Sequence, residues 1–271
     1  MSAEVSFKKP PVVETVLGVQ FARLPDFSNA HLGAFWASLG AEWSDVKDVP
    51  PLEEQFEVFG ESAVWASQMR LKLTQSPALR FQIRNTAGDR MVQIQNGRLD
   101  YNWLGQSGND YPRYKNVRPE FDNMLKQLQE FVGTHELGDI EPNQWEITYV
   151  NHILKGTVWN EPCDWASLLK KAPGPSLDSQ DLRMGGLGGQ WHFEIVPQRG
   201  RLHVQLQHGR LGSEQGDEAL VLKLTARGPI GGDGGVDNLN DGLNLGHETI
   251  VTSFRDMTSS DAHEYWGKEN P

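Results

Sequence analysis

Hydrophobic and polar positions alternate clearly over residues 79–104. Leu79, Phe81 and Ile83 interleave with Arg80, Gln82 and Arg84, the period of a strand with one wet face. Apolar parity then flips between Val92 and Ile94 on one side and Leu99, Tyr101 and Trp103 on the other. The flip falls at Asn96-Gly97, the preferred two-residue type I′ turn, so pairing across it sets Ile94 opposite Leu99 and Val92 opposite Tyr101. Adding Ile83 opposite Val92 and Phe81 opposite Ile94 predicts a three-stranded antiparallel meander with one apolar face. Its other face carries Arg80, Gln82, Arg84, Gln93, Gln95, Arg98, Asp100 and Asn102.

A β-rich run over 12–24 precedes this unit, followed by a helix in which Leu32, Phe35, Trp36, Leu39 and Trp43 recur at the spacing of one buried face. After the meander, Pro119 marks a helix start, and Phe121, Met124, Leu125, Leu128, Phe131 and Val132 form its apolar stripe. The second half repeats the order: a strand over 145–154, a short helix near Trp165, Leu168 and Leu169, then a second meander. There Trp191, Phe193 and Ile195 are expected opposite Leu206, Val204 and Leu202, and these opposite Leu220, Leu222 and Leu224. A closing helix uses Leu243, His247, Ile250, Val251 and Phe254.

The expectation is an α+β fold: two β-α-βββ-α halves, residues 12–144 and 145–267, whose antiparallel meanders are backed by helices and can share one continuous sheet. Residues 1–11 and 268–271 read as tails. Residues 172–189 and 228–242 read as glycine-rich flexible loops that could order on binding a partner.

Composition narrows the function classes. The formal net charge is −11, so the chain lacks the general attraction to phosphate that drives non-specific nucleic-acid and anionic-membrane binding. No apolar run approaches the ~20 residues of a membrane-spanning helix. Residues 1–11 lack the apolar stretch of a secretory signal, and Cys163 is the only cysteine, which together suggest a reducing, cytoplasmic setting.

Chemical motifs are sparse. His192-Phe193-Glu194 matches the first half of a zinc-deaminase signature, but the later P-C-x-x-C is missing. In the expected register His192 and His203 are offset along their strands, and they are not expected to share an ion. The aspartates of 228–242 miss calcium-loop spacing, the glycines of 185–189 precede a strand rather than a helix, and no nucleophile elbow, H-E-x-x-H or C-x-x-C pair occurs. Neither a cofactor nor a metal is therefore expected.

Two places remain. Arg80, Gln82, Arg84, Gln93, Gln95 and Arg98 form a polar sheet face able to contact a partner, and its guanidiniums could bind phosphate or carboxylate groups, although it has no stacking aromatics for nucleic acid. Tyr111, Tyr114, Asn151, His152 and His247 are hydrogen-bonding side chains near element ends or inside a strand. They can be either a satisfied internal network or a pocket.

The opening PPVVETVLGVQF at 10–21, residues 93–103, the YPRY at 111–114, residues 146–153 and the tail from His247 through Phe254, Thr258 and Trp266-Gly267 resemble a sporadically distributed bacterial and archaeal family of uncharacterised proteins. The resemblance spans nearly the whole chain and implies no assigned activity or site. The family's patchy distribution is similar to that of genes in bacterial conflict and stress systems, an analogy for a defence-related partner role. The favoured expectation is a binding protein whose polar sheet face and glycine-rich loops meet a protein partner. The alternatives are a hydrolase or nuclease with a cleft between the halves, and a nucleic-acid-binding module.

Overall fold

The computed structural model describes residues 6–59, 78–105, 111–170, 181–231 and 235–269. Among these residues nine strands form one antiparallel sheet: β2 (Val12–Phe21), β3 (Asp45–Val49), β4 (Arg80–Arg84), β5 (Arg90–Gln95), β6 (Arg98–Leu104), β7 (Pro142–Leu154), β8 (Gly188–Ile195), β9 (Gly200–Arg210) and β10 (Glu218–Pro229). Their order is β3-β4-β5-β6-β2-β7-β10-β9-β8. In both halves the opening strand lies innermost, beside the last strand of its own meander, and β2 and β7 join the halves at the centre.

The first meander has the expected pairs, Ile94 with Leu99, Val92 with Tyr101, Ile83 with Val92 and Phe81 with Ile94. Gly97, at φ +97°, takes the left-handed backbone that the turn demands. β3 is an addition at the edge, where Asp45, Lys47 and Asp48 discourage further pairing.

The second meander keeps the expected faces but shifts each expected pairing by two residues: Trp191 faces Val204, Phe193 faces Leu202, and Leu222 faces Leu206. Alternation cannot detect a two-residue slip, because only an odd slip exchanges the faces. The difference lies in the connection: Ile195 pairs with Gly200 across four residues, with Arg199 N–H donating to the Ile195 carbonyl at 2.9 Å. His192 consequently stands directly opposite His203 rather than offset from it along the strand.

Among the described residues five α-helices accompany the sheet: α1 (Asn29–Ser38), α2 (Tyr114–Thr134), α3 (Trp165–Leu168), α4 (Leu239–Met257) and α5 (Ser260–Tyr265). α2 begins at Tyr114, five residues before the expected Pro119. The added turn buries Val117 completely and so lengthens the apolar stripe upstream, which outweighs the amide bond that Pro119 cannot donate. Phe35 of α1 meets Phe131 of α2 edge-on, and Tyr101 in the sheet donates to Glu120 of α2 at 2.9 Å. α4 lies over β7, β10 and β9, covering a core that includes Trp145, Ile147 and Leu224.

The expected tails are partly structured. β1 (Ser6–Phe7) pairs with β11 (Lys268–Glu269) in a separate two-stranded sheet, and Phe7 packs against Phe254 and Trp266. The two expected flexible loops are also narrower: β8 takes up Gly188 and Gly189, and α4 begins at Leu239, while residues 171–180 and 232–234 lie outside the described residues. No helix among the described residues is long and apolar enough to cross a membrane.

Candidate functional site

The face of the sheet that no helix covers among the described residues is polar. Gln93, Asp100, Gly18, Glu146, Arg227 and Arg201 are successive cross-strand partners along one row of it. Gly18 leaves a notch at the centre: a Cβ there would lie 2.3 Å from Asp100 Oδ1 and 3.5 Å from an Arg98 nitrogen. Through that gap Arg98 donates to Asp100 at 2.8 Å and to Glu146 at 2.7 Å. Burial opposes the charge on Arg98, but these two carboxylates more than restore it and raise its pKa. Burial likewise works against an ionised Glu146, yet the charges of Arg98 and Arg227 hold its carboxyl below the ordinary range.

Residues 50–59 cross this face, tied by glutamine side chains. Gln95 takes both backbone groups of Leu52, with Leu52 N–H donating at 2.8 Å and the Leu52 carbonyl accepting at 2.9 Å. Gln20 donates to the Gln55 carbonyl at 2.9 Å, and Gln144 also holds that carbonyl. Glu57 then accepts from Arg201 at 2.9 Å and Arg227 at 2.6 Å, with His203 at 2.6 Å. Burial favours its neutral form, but His203 and Arg227 outweigh that and hold Glu57 at about 2.

The expected contact surface is therefore engaged internally. Arg80 donates to the Pro50 carbonyl at 3.2 Å and to Gln93, Gln82 donates to Gln93 at 3.1 Å, and Gln93 donates to Asn102 at 3.0 Å. Arg98 is buried and neutralised, while Arg84 is exposed towards the sheet edge. The three guanidiniums do not make one basic patch. Between residues 50–59 and the sheet remains a polar cleft of about 550 Å³, lined in part by Glu14, Arg80, Asn102, His192, His203 and Lys223.

The other candidate residues converge on the helix-covered face. Tyr111, Tyr114, Asn151 and His247 line one open pocket of about 330 Å³, together with Tyr149, which belongs to the same sequence segment as Asn151 but is not among the candidate site residues. Alternation along β7 carries the missing signal: Tyr149 and Asn151 share parity with the core residues Trp145, Ile147 and Ile153. His152 has the opposite parity, does not line the pocket, and burial lowers its pKa. A β-bulge between Val12 and Glu14 lets Val12 face Asn151 at the pocket wall.

Within the pocket Tyr111 Oη donates to Tyr149 Oη at 3.1 Å, and Tyr149 Oη lies 2.8 Å from His247 Nδ1. The direction that satisfies all three has Tyr149 donating to a lone pair on Nδ1, with the ring proton on Nε2. Tyr114 stacks on His247 at 4.1 Å and 8°, and its hydroxyl donates to Asn244 at 2.9 Å. Burial raises the Tyr114 pKa. Asn151 donates to the Leu222 carbonyl at 3.1 Å.

Arg113, ahead of α2, adopts φ +71°, a conformation costly for a side-chain-bearing residue and concentrated at functional sites. It donates to the Phe7 carbonyl at 2.6 Å. With the exposed Lys115 it puts two cations on the pocket wall against one carboxylate, Glu269. Phe7, Val12, Ile250, Val251 and Phe254 supply apolar surface.

A scan against protein-family models finds no match to the chain, and a search of curated proteins finds no relative.

Proposed function

We propose that the chain is a small-molecule-binding protein whose ligand, an organic anion with an apolar body, occupies the pocket between β7, α2, α4 and the β1/β11 pair. The hydrogen-bonded chain Tyr111–Tyr149–His247 inside an open pocket carries this reading. A purely structural network would be sealed, whereas these groups line accessible space beside apolar side chains, the composition of small-molecule sites. Arg113 and Lys115 favour a carboxylate or phosphate head despite the negative charge of the whole chain. The hydrogen-bond partner of His247 Nδ1 among the described residues is the hydroxyl of Tyr149, a group suited to anchoring a ligand, which favours binding over catalysis.

Thermal-shift measurements with medium-chain and aromatic carboxylates and the matching phosphates test the proposal. A ligand at a hundred times its Kd stabilises by about 2.7 kcal/mol. Tyr149→Phe, which removes the central hydroxyl, is expected to weaken the best ligand about tenfold, the equivalent of roughly one charge-assisted or two neutral hydrogen bonds. Absence of any stabilising anion, or equal affinity in Tyr149→Phe, would count against it.

A protein-partner reading has one specific support, on a different surface. Edge strand β8 leaves Phe193 51% and the neighbouring Val196 67% exposed on the side that α4 covers elsewhere. Co-purification that is lost in Phe193→Ser would favour that reading.

A further inference from the structure

His192 of β8 and His203 of β9 are direct cross-strand partners, with their Nδ1 atoms 2.7 Å apart and their rings inclined by 74°. His203 Nε2 lies 2.6 Å from Glu57 Oε1. An ionised carboxylate that also receives Arg201 and Arg227 can only accept, so the proton of that contact is on His203 Nε2. The other nitrogen of a neutral His203 then presents a lone pair to His192, and His192 Nδ1–H bridges the gap.

We infer that this bridging proton marks a chelation site: His192 and His203 bind a divalent transition-metal ion through their two Nδ1 atoms, at the wall of the polar cleft, with Glu57 orienting His203. On metal binding His192 gives up its Nδ1 proton and takes the Nε2–H tautomer, so one proton shifts within the ring and none need be lost from a neutral pair. Nitrogen ligands at about 2.1 Å from a shared ion stand roughly 3.0 to 3.4 Å apart, so the two nitrogens must separate by less than about 1 Å while the rings turn to aim both lone pairs at the ion. His192 is exposed on an edge strand and can supply that movement. The carboxylate behind the ligating imidazole is the usual outer partner of a metal-bound histidine, fixing its tautomer and raising its basicity.

Both histidines line the cleft of about 550 Å³, which leaves the remaining coordination positions to water or an incoming ligand. Two imidazoles select zinc, nickel or copper over magnesium or calcium. Among the described residues no cluster of three histidine, cysteine, aspartate or glutamate side chains is placed to hold an ion, and the proposed site rests on the two imidazoles.

Calorimetric titration of the metal-free chain with Zn²⁺ tests the inference. One equivalent is expected to bind, about tenfold or more weaker in His192→Ala, and about 10- to 100-fold weaker in Glu57→Gln. His31→Ala, at a histidine remote from the cleft, leaves the affinity unchanged. Because His192 is exposed, its replacement should preserve the unfolding midpoint, and His192→Gln provides a second variant that keeps a polar edge. With Cu²⁺, electron paramagnetic resonance should show two coupled imidazole nitrogens in the wild type and one in either His192 variant. Zn²⁺ affinity unchanged in both variants, or no binding up to millimolar Zn²⁺, would overturn the inference.

Discussion

Gly18→Ala is expected to destabilise the protein although it adds a single methyl group. In the interior of a strand alanine is ordinarily better than glycine by about 0.5–1 kcal/mol, because glycine loses more backbone freedom on folding. At this position the new Cβ would lie 2.3 Å from Asp100 Oδ1, about 1 Å inside ordinary contact. Asp100 cannot yield cheaply: it is 1% exposed, and Arg98 Nε holds both of its oxygens, at 3.0 and 2.8 Å. Overpacking a tight site costs about 1–3 kcal/mol and breaking a buried ion pair about 3–5 kcal/mol. Since Arg98 keeps Glu146 as a partner, the lower part of that range applies, and after the alanine advantage a net loss of about 2–4 kcal/mol remains. For a chain of this size that is a fall in Tm of roughly 4–8 °C. Denaturant unfolding of Gly18→Ala, Asp100→Ala and the double variant separates the causes. With the carboxylate gone, the methyl group should be neutral or slightly stabilising. A single variant within about 0.5 kcal/mol of wild type, or the same loss in the Asp100→Ala background, would refute the steric account.

Two further outcomes follow from the polar face. Glu146 has a folded-state pKa below its unfolded value, so its contribution is fully present above the ordinary carboxylate range near pH 4.3 and is lost as pH falls through the lower folded value. Urea unfolding between pH 6 and 3 should therefore show a declining midpoint that Glu146→Gln flattens; a parallel decline in the variant would remove Glu146 as the cause. Gln95→Ala deprives Leu52 of both backbone partners, at a cost of about 1–2 kcal/mol, and should speed limited proteolysis within residues 50–59 while leaving β5 and β6 paired.

What could be read from the sequence depended on how many local constraints met at one point. At Asn96-Gly97 a turn of defined length coincides with a parity flip, which together admit one register, and the observed pairs agree residue for residue. Around Arg199-Gly200 only alternation was available, so the faces were legible and the register was not. That slip hid the meeting of His192 and His203. The glutamines holding residues 50–59 come from β2, β5 and β7, and nothing local to Gln20, Gln95 or Gln144 distinguishes a side chain gripping a distant backbone from one facing water. In the tyrosine pocket the residue types were legible, and the error at His152 came from choosing adjacent residues in a strand, where neighbours necessarily face apart.

The central pairing of β2 with β7 has a temporal consequence. β2 is made early, yet its second partner follows only after roughly 120 further residues, which at 5–20 residues per second is about 6–24 s of synthesis. During that interval the nascent first half carries an open strand edge in the middle of the future sheet, with the Gly18 notch and half of the Arg98 ion pairs incomplete. The two halves are thus mutually dependent in time as well as in space: residues 12–144 alone keep the vulnerability that the arrival of β7 removes.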